Sequence, residues 1–272
     1  MRCLYLDLDG TLLGSGGSLM HDGDGTTSLL GARAIEACLR ADVEVVLMSG
    51  RRQQTVAQPA RMLGQGSYIF EVGSCLVLDG EEQWLTGDLV PGENGSIFEQ
   101  VAASGAPDLL LEHFAGRLEY HDPWHHGREV SHLFRGHIDA AEADALLAER
   151  GHGNLRVVDN GAMHAGRTTL PDVEQVRVYH LIPEGVSKAR AVAVHMRARG
   201  LRRDDCIAVG DSREDLEVAT QVGTFWLVAN ALERDPSMRE AAANVGGVVR
   251  IAGAGYGPGV YEAVVTTLAE RR

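Results

Sequence analysis

The chain has 272 residues, of which 44% are hydrophobic and 23% charged, values typical of a soluble globular protein with one large or two modest domains. A formal net charge of -13 argues against a nucleic-acid-binding surface. No stretch approaches the roughly 18 apolar residues of a membrane span, and no signal peptide is recognised, so we expect a cytoplasmic protein without membrane or nucleic-acid partners. These features do not predict its oligomeric state.

Strands and helices alternate over the first 85 residues. Apolar runs predict strands at 3–8, 43–48 and 68–72, and helical spacing of apolar residues predicts helices at 28–40 and 52–63. A hairpin is predicted at 74–85, with its turn at Leu78-Asp79-Gly80-Glu81. This alternation is typical of a parallel sheet flanked by helices.

The pattern changes between residues 86 and 180. Here the sequence predicts strands at 117–121, 129–135, 155–159 and 175–181, and an amphipathic helix at 140–150. The alternation then resumes, with helices at 187–199, 214–221 and 258–270 and strands at 206–209 and 224–228. The predicted fold is α/β: a Rossmann-like, doubly wound parallel sheet of residues 1–85 and 181–272, with an α+β domain of residues 86–180 inserted into it.

Neither the cysteines nor the histidines have the spacing of a metal motif. The four cysteines never occur as CxxC, so the sequence predicts neither a disulfide framework nor a zinc site, but core residues of a reduced protein. Seven histidines lie between His113 and His152 without an HxH or HExxH spacing, which favours surface or hydrogen-bonded structural residues.

Polar side chains follow the predicted strands at their carboxyl ends, where reactive groups gather in an open parallel sheet. They are Asp7 and Asp9 after the first strand, Ser49 and Gly50 after the second, Asp211 and Asp215 after the strand at 206–209, and Lys188 at the start of the helix that re-enters the sheet. Each taken alone could be a helix cap, a turn residue or a solvated side chain. Their shared position at one edge of the sheet favours a functional site.

The acids in this set predict a metal ion. Three carboxylates near one point would repel each other unless a cation lay among them. Because oxygen-only ligands of this kind suit Mg²⁺, we expect a magnesium site.

The order of these motifs, DLDGT, MSGR, a lone Lys and GDSREDLE, is similar to the four motifs of the haloacid dehalogenase superfamily of phosphohydrolases. The resemblance covers about residues 1–85 and 181–272. By its position and length, the insertion resembles the type 2 cap of the Cof-type branch, which includes mannosyl-3-phosphoglycerate and sucrose-phosphate phosphatases. The resemblance implies a Mg²⁺-dependent phosphatase acting on a small phosphorylated metabolite, such as a sugar phosphate or a phosphoglycerate derivative.

The resemblance also implies a role for each residue of the motifs. Asp7 would be the nucleophile that forms an aspartyl-phosphate, and Asp9 would be the acid and base. The phosphoryl group would be bound by Gly10, Ser49, Gly50 and Lys188. Mg²⁺ would be held by Asp7, the backbone carbonyl of Asp9 and Asp211, with Asp215 as a further ligand or a supporting residue.

The cap is where the resemblance places substrate specificity. Its candidate residues for an anionic or polyhydroxyl substrate are Arg128, His132 and Arg135, with solvated cap surface as the alternative reading. One departure from the family pattern lies at Glu71-Val72-Gly73-Ser74, where Cof-type relatives often carry an Asn-Gly pair.

Two other functions stay open. The first is a phosphomutase with the same chemistry, which no residue excludes. The second is a non-catalytic phosphate-binding module, which the intact Asp7 and Asp9 disfavour because binding alone needs no nucleophile.

Overall fold

The computed structural model describes residues 1–162, 169–170 and 173–270. The chain divides into two units, each with its own internal contacts. The sheet unit comprises Met1–Gln83 and Ser187–Arg272, and the inserted unit comprises Trp84–Val186. Among the described residues, no helix is both long enough and apolar enough to cross a membrane.

The strands of the described residues, in chain order, are β1 (Cys3–Asp7), β2 (Glu44–Met48), β3 (Tyr68–Phe70), β4 (Cys75–Leu78), β5 (Glu81–Trp84), β6 (Leu118–Tyr120), β7 (His132–Gly136), β8 (Leu155–Ala162), β9 (Arg177–Pro183), β10 (Cys206–Gly210), β11 (Thr224–Leu227) and β12 (Val249–Ile251). The α-helices are α1 (Leu30–Arg40), α2 (Gln53–Met62), α3 (Ile97–Ala103), α4 (Ala106–His113), α5 (Ala140–Glu149), α6 (Lys188–Arg199), α7 (Arg213–Leu216), α8 (Ala229–Arg234), α9 (Met238–Asn244) and α10 (Tyr256–Glu270).

The sheet unit is built on an eight-stranded sheet with the order β12-β11-β10-β1-β2-β3-β4-β5. β1 pairs in parallel with both β2 and β10, while β4 runs antiparallel to β3. Strands β1 to β3 extend to one side and β10 to β12 to the other, so the strand order reverses between β1 and β10. In open α/β sheets, ligands bind in the crevice that such a reversal creates at the carboxyl ends of the strands.

Burial explains why β1 reads as an apolar run. All five of its residues are buried, because the strand is covered on both faces. Helix α6 lies in the same unit and is defined at both ends. Ser187 caps its first turn by accepting a hydrogen bond from the Arg190 N–H, and Gly200 ends it in a left-handed conformation with φ 61°.

The inserted unit contains a four-stranded antiparallel sheet with the order β6-β7-β9-β8. Its core includes Phe114, Phe134 and Tyr179, all fully buried. Helix α3 begins at a capping box of Ser96 and Glu99, and Asp139 caps α5.

The predicted fold class is confirmed, and the four cysteines are buried, as predicted for core residues. The sequence did not predict the short helices α3, α4, α8 and α9 or the three-residue strand β12. The helix predicted at 214–221 is in fact the four-residue α7 followed by a 3-10 helix at Glu217–Thr220. Segments this short do not repeat a hydrophobic pattern often enough to reveal their structure.

Candidate active site

Three carboxylates meet at the reversal of strand order. Asp7 is the last residue of β1, and Asp211 directly follows β10. One ligand oxygen from each of Asp7, Asp211 and Asp215 lies within 4.8 Å of the other two, and all three residues are buried. The structure therefore brings together the acids that the sequence separates by about two hundred residues.

Lys188 lies between two of these acids. Its Nζ donates to Asp7 Oδ1 at 2.9 Å and to Asp215 Oδ1 at 2.7 Å, and only 2% of the residue is exposed. Burial alone lowers the pKa of Lys188, but the carboxylates of Asp215 and Asp7 raise it well above its usual value. The ammonium group therefore stays charged.

The acids outnumber the cations beside them. Burial, and then the charge of Asp215, raise the pKa of Asp7 to about 7, although Lys188 opposes the shift. Burial also raises the pKa of Glu214 to about 8, and both carboxylate oxygens of Glu214 are buried without a hydrogen-bond partner. A cluster of oxygen donors with an orphaned buried carboxylate beside it fits a hard divalent cation such as Mg²⁺.

The turn after β10 is shaped by Asp215. Its Oδ2 accepts hydrogen bonds from the Asp211 N–H at 3.2 Å, the Ser212 N–H at 3.1 Å and the Ser212 hydroxyl at 2.7 Å, which completes a capping box at the start of α7. A Cβ at Gly210 would collide with the Asp215 side chain, so the chain needs glycine there. With its Oδ1 bonded to Lys188, both oxygens of Asp215 are engaged.

Asp9 is held by Arg51, the last residue of the MSGR motif, to which the sequence analysis assigned no role. The Arg51 Nε donates to Asp9 Oδ2 at 2.6 Å and its Nη2 donates to Asp9 Oδ1 at 2.5 Å. A bidentate pair of this kind fixes both the position and the plane of the carboxylate. Ser49, which is 1% exposed, accepts the Arg51 N–H through its hydroxyl at 3.2 Å. The sequence did offer a signal for Arg51, because it directly follows Ser49 and Gly50.

The loop at residues 71–73 connects two parts of the site. Glu71, Val72 and Gly73 all have positive φ, at 42°, 66° and 94°. The Val72 N–H donates to the Ser49 carbonyl at 3.1 Å, and a Cβ at Gly73 would collide with the carbonyl of Ser187. This loop, which lacks the family's Asn-Gly pair, therefore packs against both the Ser49 loop and the start of α6.

Three further side chains, to which the sequence analysis assigned no role, support the site. The Thr11 hydroxyl donates to Asp211 Oδ1 at 3.0 Å, and Arg234 forms an ion pair with Asp211. Asn230 donates to the carbonyl of Gly10 at 2.8 Å, where φ is 79°. Asn230 and Arg234 lie on α8, a helix that the sequence did not predict.

The three candidate residues of the inserted unit contact other residues of that unit. Arg128 donates from Nε to the Ser131 hydroxyl at 2.8 Å, and Arg135 donates from Nε to Glu119 Oε1 at 2.6 Å. His132 is 2% exposed and stacks on Phe98 with ring centroids 4.0 Å apart. None of the three is a solvated surface residue, and their role toward a substrate stays a prediction.

Residues 173–248 match the family described as haloacid dehalogenase-like hydrolase. The chain is 28% identical to the phosphoglycolate phosphatase of Methanoculleus marisnigri, over 97% of this chain and 95% of that protein. It is 30% identical to the phosphoglycolate phosphatase of Halorubrum lacusprofundi, over 88% of each.

Solved structures show the same fold. A protein of Thermoplasma acidophilum superposes with a TM-score of 0.61 at 20% identity, covering 98% of both chains. The sucrose-phosphatase of Synechocystis sp., solved with sucrose and phosphate, superposes with a TM-score of 0.61 at 15% identity, also over 98% of both chains.

Proposed function

The chain belongs to the haloacid dehalogenase superfamily of phosphatases, and on that premise we propose that it hydrolyses a small phosphorylated carboxylic acid through an aspartyl-phosphate on Asp7. Phosphoglycolate is the first substrate to test, because relatives that match nearly the whole chain carry that name. Phosphoglycerate derivatives share its chemistry, and sugar phosphates are the alternative class. The observation that carries the proposal is the buried contact between Lys188 and Asp7.

The contacts of Asp7 hold its carboxylate in one orientation, as a nucleophile requires. Its carboxylate is fixed by the rigid strand β1 and by the Lys188 ammonium. One oxygen attacks phosphorus and forms an acyl-phosphate while the ester P–O bond breaks. A water molecule then attacks the phosphorus, the bond to Asp7 breaks, and inorganic phosphate leaves with Asp7 restored.

Asp9 is proposed to move the protons of both steps. It donates a proton to the departing alkoxide and later takes one from the attacking water. To carry a proton, Asp9 has to open its ion pair with Arg51, because a guanidinium stabilises the ionised carboxylate. An anionic substrate supplies the alternative partner for Arg51, so substrate entry and the freeing of Asp9 would be coupled.

The proposed ligands of Mg²⁺ are Asp7, Asp211 and the backbone carbonyl of Asp9, in keeping with the excess of buried acids at this point. When bound, the ion would neutralise part of that charge and polarise phosphoryl oxygens. We propose that Asp215 supports the site rather than ligating, because Lys188 and Ser212 already engage its two oxygens. Gly10, Ser49, Gly50 and Lys188 are the proposed contacts of the phosphoryl group.

The inserted unit is proposed to select the substrate. Alanine variants of Arg128, His132 or Arg135 should then raise KM for the true substrate more than for a small generic phosphomonoester. Equal changes for both substrates would place specificity elsewhere.

Phosphate release from phosphoglycolate, compared with a panel of sugar phosphates in the presence of Mg²⁺, tests the function. Asp7→Asn should abolish turnover, whereas the control Asp42→Asn should be unaffected, because Asp42 is exposed and its φ of 55° suits asparagine. Chelation should remove the activity and added Mg²⁺ restore it. Wild-type phosphate release by Asp7→Asn would disprove the mechanism, and dependence on a bisphosphorylated activator would indicate a mutase instead.

A further inference from the structure

Two thiols and a carboxylate form a row at the opposite end of β1 from Asp7. Cys3 on β1 is the register partner of Cys206 on β10 and of Glu44 on β2. Residues in register on neighbouring parallel strands point to the same face, about 4.8 Å apart. Both cysteines are fully buried. The row therefore lies inside the sheet unit, at the amino ends of its central strands.

Helix α6 adds an imidazole to this row. His195 is seven residues, or about two turns, after Lys188 and so lies on the same helix face. It is fully buried, and one ligand atom from each of Cys3, Glu44 and His195 lies within 4.8 Å of the other two. One helix thus places Lys188 at one end of β1 and His195 at the other.

The hydrogen bonds of His195 leave one ring nitrogen for another partner. Its Nδ1 lies 2.8 Å from the Tyr5 hydroxyl, whereas its Nε2 is buried without a hydrogen-bond partner. The nearest carboxylate oxygen, Glu44 Oε1, lies 3.4 Å from Nε2. Two ligands at about 2.1 Å from one tetrahedral ion are about 3.4 Å apart, so this spacing fits a shared metal.

From this geometry we propose a second metal site, formed by Cys3, Glu44 and His195 and selective for Zn²⁺. A thiolate, an imidazole and a carboxylate suit zinc and do not suit Mg²⁺. The Tyr5 hydroxyl accepts from Nδ1–H and thereby leaves the Nε2 lone pair directed at the ion, a common arrangement around metal-bound histidines. The spacing of the cysteines along the chain gave no sign of this site, because its ligands come from three separate elements.

The charges of the site balance when zinc is bound. Arg199 donates from Nε and Nη2 to Glu44 Oε1 at 3.2 and 3.0 Å and so orients the carboxylate, while its own charge is matched by Asp79. Binding releases the Cys3 thiol proton to solvent. The negative charges of one thiolate and the Glu44 carboxylate then match the divalent ion.

Cobalt binding to the full-length, reduced and chelator-stripped protein tests the proposal without any measurement of activity. We expect one equivalent of Co²⁺ to produce a thiolate charge-transfer band and the strong visible bands of a tetrahedral site, and Zn²⁺ to abolish both. A cobalt spectrum without a thiolate band would overturn the proposal, as would bands that Zn²⁺ cannot displace.

Matched variants locate the site. Cys3→Ser and His195→Gln should weaken Co²⁺ binding at least about tenfold, and Tyr5→Phe, which keeps every ligand, should weaken it about tenfold. Cys38→Ser, which removes a buried free thiol elsewhere in the sheet unit, should bind as wild type. Asp211→Asn should also bind as wild type, which separates this site from the acidic one. Equal losses in Cys38→Ser and Cys3→Ser, or an unchanged Tyr5→Phe, would contradict the assignment.

Discussion

Buried charge is arranged differently in the sheet unit and in the inserted unit. In the sheet unit, Asp7, Asp211, Asp215 and Glu214 are all less than 9% exposed and gather near Lys188. In the inserted unit, Arg135 pairs with Glu119 and Arg177 pairs with Asp159, while the buried Arg128 donates to the Ser131 hydroxyl. The sheet unit therefore holds an excess of acid at one point, whereas these two ion pairs of the inserted unit are matched one to one.

This difference helps to distinguish a functional site from buried polar residues that only support the structure. Matched pairs need no further partner, and they cost stability chiefly when one member is removed. A surplus of buried acids is unfavourable by itself and persists where function requires a cation or a reacting group. By this criterion the sheet unit carries the chemistry, although both units bury polar side chains.

The largest expected effect comes from replacing Lys188, the cation that bonds to Asp7 and Asp215 in the acidic cluster. Lys188→Arg keeps the charge, but a planar guanidinium cannot occupy the place of a compact ammonium between Asp7 and a phosphoryl oxygen. A displacement of about 1 Å can cost on the order of a hundredfold in rate. We therefore expect kcat/KM to fall at least about tenfold, with the melting temperature little changed.

The control for Lys188→Arg is Arg197→Lys, an exposed position on the same helix, which should leave both quantities unchanged. Near wild-type turnover in Lys188→Arg would show that catalysis does not depend on a compact ammonium group at this position.

The second prediction concerns a matched pair of the inserted unit. Arg135→Met leaves Glu119 without its cation and should lower the free energy of unfolding by about 1–3 kcal/mol. Adding Glu119→Leu should recover part of that loss, because both charges are then gone. Urea unfolding of the two variants measures this. If Arg135→Met instead raises KM for the substrate and leaves stability unchanged, Arg135 is a binding residue.

The main site was predictable because its residues stand in local motifs directly after strands. Asp7 and Asp211 follow apolar runs, and the Ser212 capping box is visible in the sequence itself. The strands of the sheet were found for the same reason, since β1 and β2 are buried runs that only a strand explains.

What could not be predicted depends on contacts between distant segments. The pairing of Arg51 with Asp9 and that of Arg234 with Asp211 leave no local pattern in the sequence. Helices α3 and α4 were missed because they have seven and eight residues, too few to show helical periodicity clearly. The row of Cys3, Cys206 and Glu44 needs the strand order itself, which sequence spacing does not contain.

The third prediction uses the histidines that the inserted unit buries. Burial lowers the pKa of His121 and of His125 to about 4, with Arg135 adding to the shift at His121 and His132 at His125. The unfolded chain, with ordinary histidine values near 6.5, then binds more protons than the folded chain between about pH 4 and 6.5. These two histidines therefore lower stability as the pH falls through this window, whereas Asp7 and Glu214, with pKa values raised to about 7 and about 8, act in the opposite direction.

Urea unfolding at pH 7 and pH 5, followed by tryptophan fluorescence, measures the slope of that change. His125→Gln should reduce the slope, whereas His21→Gln, which removes an exposed histidine of the sheet unit, should not. An unchanged slope in His125→Gln would mean that this ring takes up its proton in the folded protein.

The smallest expected effect concerns backbone strain, a property in which the two units also differ. Among the described residues, the non-glycine positions with positive φ all lie in the sheet unit: Asp42, Glu71, Val72, Asp79 and Tyr256. Val72 is the most unusual, because a β-branched residue rarely adopts this conformation. It is fully buried, and its N–H contacts the Ser49 loop.

Glycine and alanine substitutions at Val72 should reverse their usual order. Both remove the buried methyl groups, but only glycine adopts a φ of 66° without steric cost, so Val72→Gly should be more stable than Val72→Ala by roughly 1 kcal/mol. At Val46, a buried residue of the regular strand β2, glycine should instead be the less stable of the two by roughly 0.5–1 kcal/mol. Urea unfolding of the four variants compares the two orders directly. If alanine is the more stable replacement at both positions, the loop beside Ser49 holds no strain, and its Val72 is there for packing alone.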